Sequence, residues 1–195
     1  MNTTLNTAEK FAAKTLTKDG LIDIFTGIGL VVIGYFWLVD NSAVSVVMPF
    51  ALIGLWKTTR RYISEPRIGS VTLAKEDAAT IKIGRTILLI IALTLVVGVI
   101  AYLLGGAGDI QGTAYYPLFA AGPSLLIATI TFFNAKHMRC PRYYAYAAWL
   151  VAAAGIAIYL GAGPATAFMV GGAPIALVGV GVFARFLSNN PKGQA

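Results

Sequence analysis

Along most of this chain apolar residues do not alternate with polar ones at the period of an amphipathic helix or strand. They run on unbroken, and the charges gather in clusters between the runs. Crossing a hydrocarbon layer of about 30 Å takes roughly 20 apolar residues at about 1.5 Å of rise each, and six stretches meet or nearly meet that length. The expected spans are about 20–39, 42–60, 86–104, 116–135, 143–160 and 165–187. The last two share one uncharged tract of 42 residues, Tyr143 to Ala184, which is too long for a single crossing. Gly161-Ala162-Gly163-Pro164 divides it, since Gly and Pro interrupt helices and Pro suits the first turn of the next. The pattern predicts an all-α, polytopic transmembrane helix bundle. Around it lie an N-terminal segment over 1–19, one longer loop over 58–85 and a tail over 188–195.

Composition agrees: 57% of the 195 residues are hydrophobic and 12% charged, with a mean hydropathy of +0.75, well outside the usual range of soluble domains. Charge adds orientation. Lys10, Lys14 and Lys18 precede span one; Lys57, Arg60, Arg61, Arg67, Lys75, Lys82 and Arg85 separate spans two and three. Lys136, Arg139 and Arg142 separate spans four and five, and Arg185 and Lys192 follow span six. All 15 basic residues therefore fall on one face of a six-span threading. Lys and Arg in short loops resist translocation, so that face is expected to be cytoplasmic, with both termini inside. A cleavable signal peptide over Lys10 to Val39 is the competing reading, disfavoured because its apolar part exceeds the usual 7–15 residues. The net charge of +7 thus follows topology and is not a nucleic-acid footprint.

Prolines and small residues carry a finer pattern. Pro49 and Pro66, Pro123 and Pro141, and Pro174 and Pro191 are separated by 17, 18 and 17 residues, each pair placing one Pro inside an outward-to-inward span and one past its basic end. Three parallel helical hairpin repeats would produce this; so would Pro stopping helices at the interface. Ala145, Ala148, Ala152 and Gly155 in span five, and Gly172, Ala176 and Gly179 in span six, form stripes that suit close helix packing. A homo-oligomer contact is the alternative use of such stripes.

Groups able to do chemistry are scarce. Asp23 is the one acidic residue within a span, a possible ion or proton site or a structural group one turn after Asp19, an expected N-cap. His137 and Cys140 are too few to close a metal site, and neither a metal nor a cofactor is expected. Thr26, Thr94, Ser124, Thr129 and Thr131 are hydroxyls of the kind that bond back to their own helix. At the inner surface Arg60, Arg61, Arg67, Arg139 and Arg142 are candidate contacts for anionic lipid or a protein partner.

Lys18-Asp-Gly-Leu-Ile-Asp-Ile-Phe-Thr-Gly-Ile-Gly-Leu30 and Glu65-Pro-Arg-Ile-Gly-Ser-Val-Thr-Leu73 resemble segments of a loose group of uncharacterised prokaryotic multi-pass membrane proteins. These pair an Asp-Gly-Leu-x-Asp-Ile entry to span one with a Pro-Arg-x-Gly-x-Val segment after span two. The resemblance covers about the first 75 residues, with Ser70 standing where an aromatic is expected. It implies a prokaryotic inner-membrane protein and no particular chemistry. With no converging acid, base or nucleophile, the sequence favours a non-enzymatic accessory or assembly component, with small-molecule or ion permeation as the alternative.

Overall fold

The computed structural model describes residues 19–39, 42–68, 116–138 and 140–191, and within them the chain is all-α, with no strand. Helix α1 is Leu21–Leu38 and α2 is Ser42–Thr59; α2 runs through a π-helical segment, Arg60–Ser64, into the short α3, Glu65–Ile68. Helices α4, α5 and α6 are Tyr116–Met138, Pro141–Tyr159 and Pro164–Asn189. Leu21–Leu38, Tyr116–Lys136 and Pro164–Asn189 are each long and apolar enough to cross a membrane. Six crossings were expected; α2 and α5 have near-spanning length, but Lys57 and Arg142 sit within them. The expected span 86–104 lies outside the described residues.

Local chemistry explains the helix boundaries. Gly20 adopts a left-handed φ of 71° just before α1, and the Asp19 carboxylate accepts the Leu21 N–H at 3.2 Å. Asp19 therefore caps from one position earlier than expected, the glycine turn bringing its side chain onto the first helical N–H. Pro141 and Pro164 open α5 and α6 after extended residues, where a missing N–H costs nothing. Pro66 behaves differently. The helix does not end before it but widens into the π segment and continues to Ile68, a wider turn being one way to absorb a proline's missing donor. Pro49, Pro123 and Pro174 all lie inside helices.

The main joint is between α1 and α6, and it runs antiparallel. A Cβ added to Gly20, Gly27 or Gly34 would fall 2.8, 2.7 or 2.6 Å from the carbonyl oxygen of Gly179, Gly172 or Ala165 respectively. Each series advances by seven residues, so two backbones meet along a repeating small-residue seam. A Cβ added to Gly29 would lie 3.1 Å from Leu52 of α2, and α2, which starts four residues after α1 ends and packs on it, runs antiparallel to it. Helices α4 and α5 form a hairpin, tied by Ser124 Oγ donating to Leu150 O at 3.1 Å. Trp149 Nε1 donates to Val170 O on α6 at 3.0 Å, and Tyr116 Oη to Ala162 O at 2.7 Å.

These pairings give the bundle two unlike ends. The start of α1, the end of α2 with its π segment, the end of α4, the start of α5 and the end of α6 share one end. Every Lys and Arg among the described residues lies there. The other end is uncharged among the described residues and carries Tyr35, Tyr116 and Tyr159. Ile68 and Tyr116, which bound the segment between α3 and α4, sit at opposite ends.

Candidate functional site at the basic end

Of the described residues that are both buried and polar or charged, Asp19, Asp23 and Ser64 cluster at the basic end and are each 1% exposed; only Ser124, already bonded across α4–α5, lies elsewhere. Asp23 is placed one turn into α1. Gly179 lets α6 pass it so closely that a Cβ there would lie 2.9 Å from the Asp23 Cβ. From α5, the Arg142 Nε stands 3.0 Å from Asp23 Oδ2, and the Tyr146 hydroxyl donates to the same oxygen at 3.2 Å. The Arg142 guanidinium also lies over the Tyr143 ring, 5.6 Å from its centroid, and the Tyr143 and Tyr146 rings are 5.7 Å apart. One carboxylate thus ties α1 to α5 through a charge pair and a phenol.

The π segment supplies the third wall. It turns Ser64 inward beside Asp19, where the hydroxyl favours the charged carboxylate without meeting the geometry of a hydrogen bond. Burial pushes the Asp19 carboxyl above its ordinary value, and Ser64, the Leu21 N–H, Arg60 and Arg142 oppose that rise. Desolvation dominates because a charge leaving water loses more than these partners return. The Tyr143 hydroxyl stands against Asp23 in the same way as Ser64 against Asp19, interacting with the carboxylate without meeting strict hydrogen-bond geometry.

The other expected site residues fall into distinct places. Arg142, read from sequence as a lipid or partner contact, turns inward to Asp23. Arg60 lies over the Trp56 ring, 5.8 Å from its centroid, and Arg61 is exposed. Arg67 Nη1 donates back to Ile63 O at 3.1 Å, and Arg139 lies outside the described residues. Gly172, Ala176 and Gly179 face α1. Ala145, Ala148, Ala152 and Gly155 all lie on the exposed side of α5, which packs instead through Tyr143, Tyr146, Ala147, Leu150, Ala153, Ala154 and Ala157. The two faces of α5 are both rich in alanine; the aromatic and leucine side chains between those alanines decide which is buried. Thr129 and Thr131 bond back to Leu125 O and Ile127 O.

Tyr143, Tyr146 and Ser64 are members of the cluster that sequence reasoning passed over. Only the two tyrosines had a signal, their placement one and four residues after Arg142 on the same helix. Ser64 had none, because a π turn sets its direction. No group of three or more metal-ligating side chains occurs among the described residues. No protein-family model matches the chain, and no curated protein or solved structure does either.

Proposed function

We propose that this protein is a multi-pass accessory or assembly component of a prokaryotic inner membrane, with six crossings, a cytoplasmic basic end and both termini inside. The observation that carries this reading is the distribution of buried polarity. Asp19, Asp23 and Ser64 sit at one end, Ser124 is consumed by Leu150 O, and the α1–α6 seam between the two ends is closed by glycine and alanine. A permeation path needs polar groups at successive depths, and away from the basic end the buried polar side chains of the described helices come down to Ser124. The positions of Ile68 and Tyr116 at opposite ends support a further crossing between them. The threefold hairpin repeat belongs to the same reading, supported by a proline inside each of α2, α4 and α6.

Purification from native membranes in mild detergent tests the role. A stoichiometric membrane-protein partner is expected; recovery as a lone monomer or homo-oligomer would count against it. Solute flux in proteoliposomes that disappears in Asp23→Asn would decide for permeation instead.

A further inference from the structure

We infer, resting on the crossing and the hairpin repeat proposed above, that the apolar run over 86–104 seats on a bare face of α2. The register of three helices points there. Two residues before, one after and five after its internal proline, α4 carries Ala121, Ser124 and Ala128, and α6 carries Gly172, Ile175 and Gly179. All six are buried. In α2 the same positions are Val47, Phe50 and Gly54, and all three are exposed. Val47 and Phe50 are open at 63% and 70%, and nothing stands within 4 Å of a Cβ added to Gly54. Spacings of three and four residues put each trio on one helix face, so a face covered twice in the bundle is uncovered once.

What covers the two buried trios says what belongs on the third. On α4 it is α5, whose Leu150 carbonyl accepts the Ser124 hydroxyl; on α6 it is α1, whose backbone at Gly27 and Ile24 stands against Gly172 and Gly179. Both covering helices start at the basic end, and α5 is the one that follows α4 in the chain. The run that follows α2 is 86–104, entered from Lys82 and Arg85 and so also from the basic end. Helix α2 meets α1 through Leu52, on the side away from the trio, which leaves the trio's face clear. Thr94, Gly98, Ala101 and Gly105, spaced four, three and four, give the run the small-residue stripe that close packing on Val47 and Phe50 needs. Laid antiparallel with both ends level, Gly54 falls near Thr94 and Val47 near Ala101. The flanking stretches 69–85 and 105–115 are long enough to lead there from Ile68 and back to Tyr116.

Disulfide trapping in native membranes tests the seat, using the full chain with Cys140→Ser as background. Gly54→Cys is combined in turn with Ile91→Cys, Thr94→Cys and Gly98→Cys and oxidised, since a disulfide forms only where Cα atoms come within about 7 Å. Trypsin cuts at the basic residues between the two positions, so a linked pair survives as joined peptides in non-reduced mass spectra. A link within one chain is expected for at least one pair, and none when Gly155→Cys, on the exposed side of α5, replaces Gly54→Cys. Absence of every Gly54 link, a link through Gly155→Cys instead, or a disulfide dimer of two chains on a non-reducing gel would each overturn the seat, the last by putting a second copy there. Impermeant maleimide labelling of Ser70→Cys and Thr113→Cys separates the seat from the crossing. Labelling from opposite sides of the membrane without a Gly54 link refutes the seat alone; labelling of both from one side refutes the crossing and the seat with it.

Discussion

The carboxylate of Asp23 is buried deeply enough that its partners decide whether the fold tolerates it. Removing Arg142 as Ala leaves that charge without its contact and should destabilise by about 3 kcal/mol or more, the usual cost of orphaning a buried ion. Replacing both residues by Leu should cost less than the two single changes summed, measured as a double-mutant cycle in reversible unfolding. Asp19 behaves differently, since burial raises its carboxyl above the ordinary value. A raised acid contributes stability below its unfolded value of about 3.9, and loses it as pH climbs through the folded one. Asp19→Asn, which keeps a side-chain acceptor for the Leu21 N–H, should therefore flatten the decline in stability above pH 4. An unchanged slope would count against the assignment.

At the level of elements, the seam between α1 and α6 should be the least forgiving feature. A Cβ on Gly27 would meet backbone of Gly172 and Ala176, atoms that cannot rotate away. Gly27→Leu is therefore expected to exceed the roughly 1–3 kcal/mol of ordinary overpacking and to show as loss of a monodisperse peak in detergent chromatography. Gly155→Ala, with open space around it, should be neutral or slightly stabilising by the same assay. Half of this seam was legible in the sequence, in Gly172, Ala176 and Gly179. Its partner, the sevenfold spacing of Gly20, Gly27 and Gly34, was equally visible but could not be matched, because the seam joins helices distant in sequence. The stripe in α5 shows the reverse problem: alanines lie on both its faces, and composition cannot tell which one a neighbour covers. Ser64 was out of reach for another reason, since a π segment rotates every later side chain away from the direction that helical spacing implies.

The whole molecule is polarised, with its described charges at one end and none at the other. If that end faces the cytoplasm, Cys140, the only cysteine, should react with a membrane-impermeant maleimide in inside-out vesicles and not in intact cells. The opposite pattern would reverse the proposed orientation. The clustering of Lys and Arg made this polarity readable from sequence, because each apolar run and its flanking charges are contiguous; the inward turn of Arg142 was not, because it depends on where Asp23 lies across the bundle. The seam also bears on the order of assembly. Helix α1 leaves the ribosome long before α6, so its glycine face must wait through the synthesis of every intervening helix before its match arrives. Neighbouring hairpins such as α4–α5 need no such delay. Closure of the bundle is thus a late event of high contact order, and a chain stalled ahead of Gly172 would present an unfilled groove to the membrane's degradation machinery.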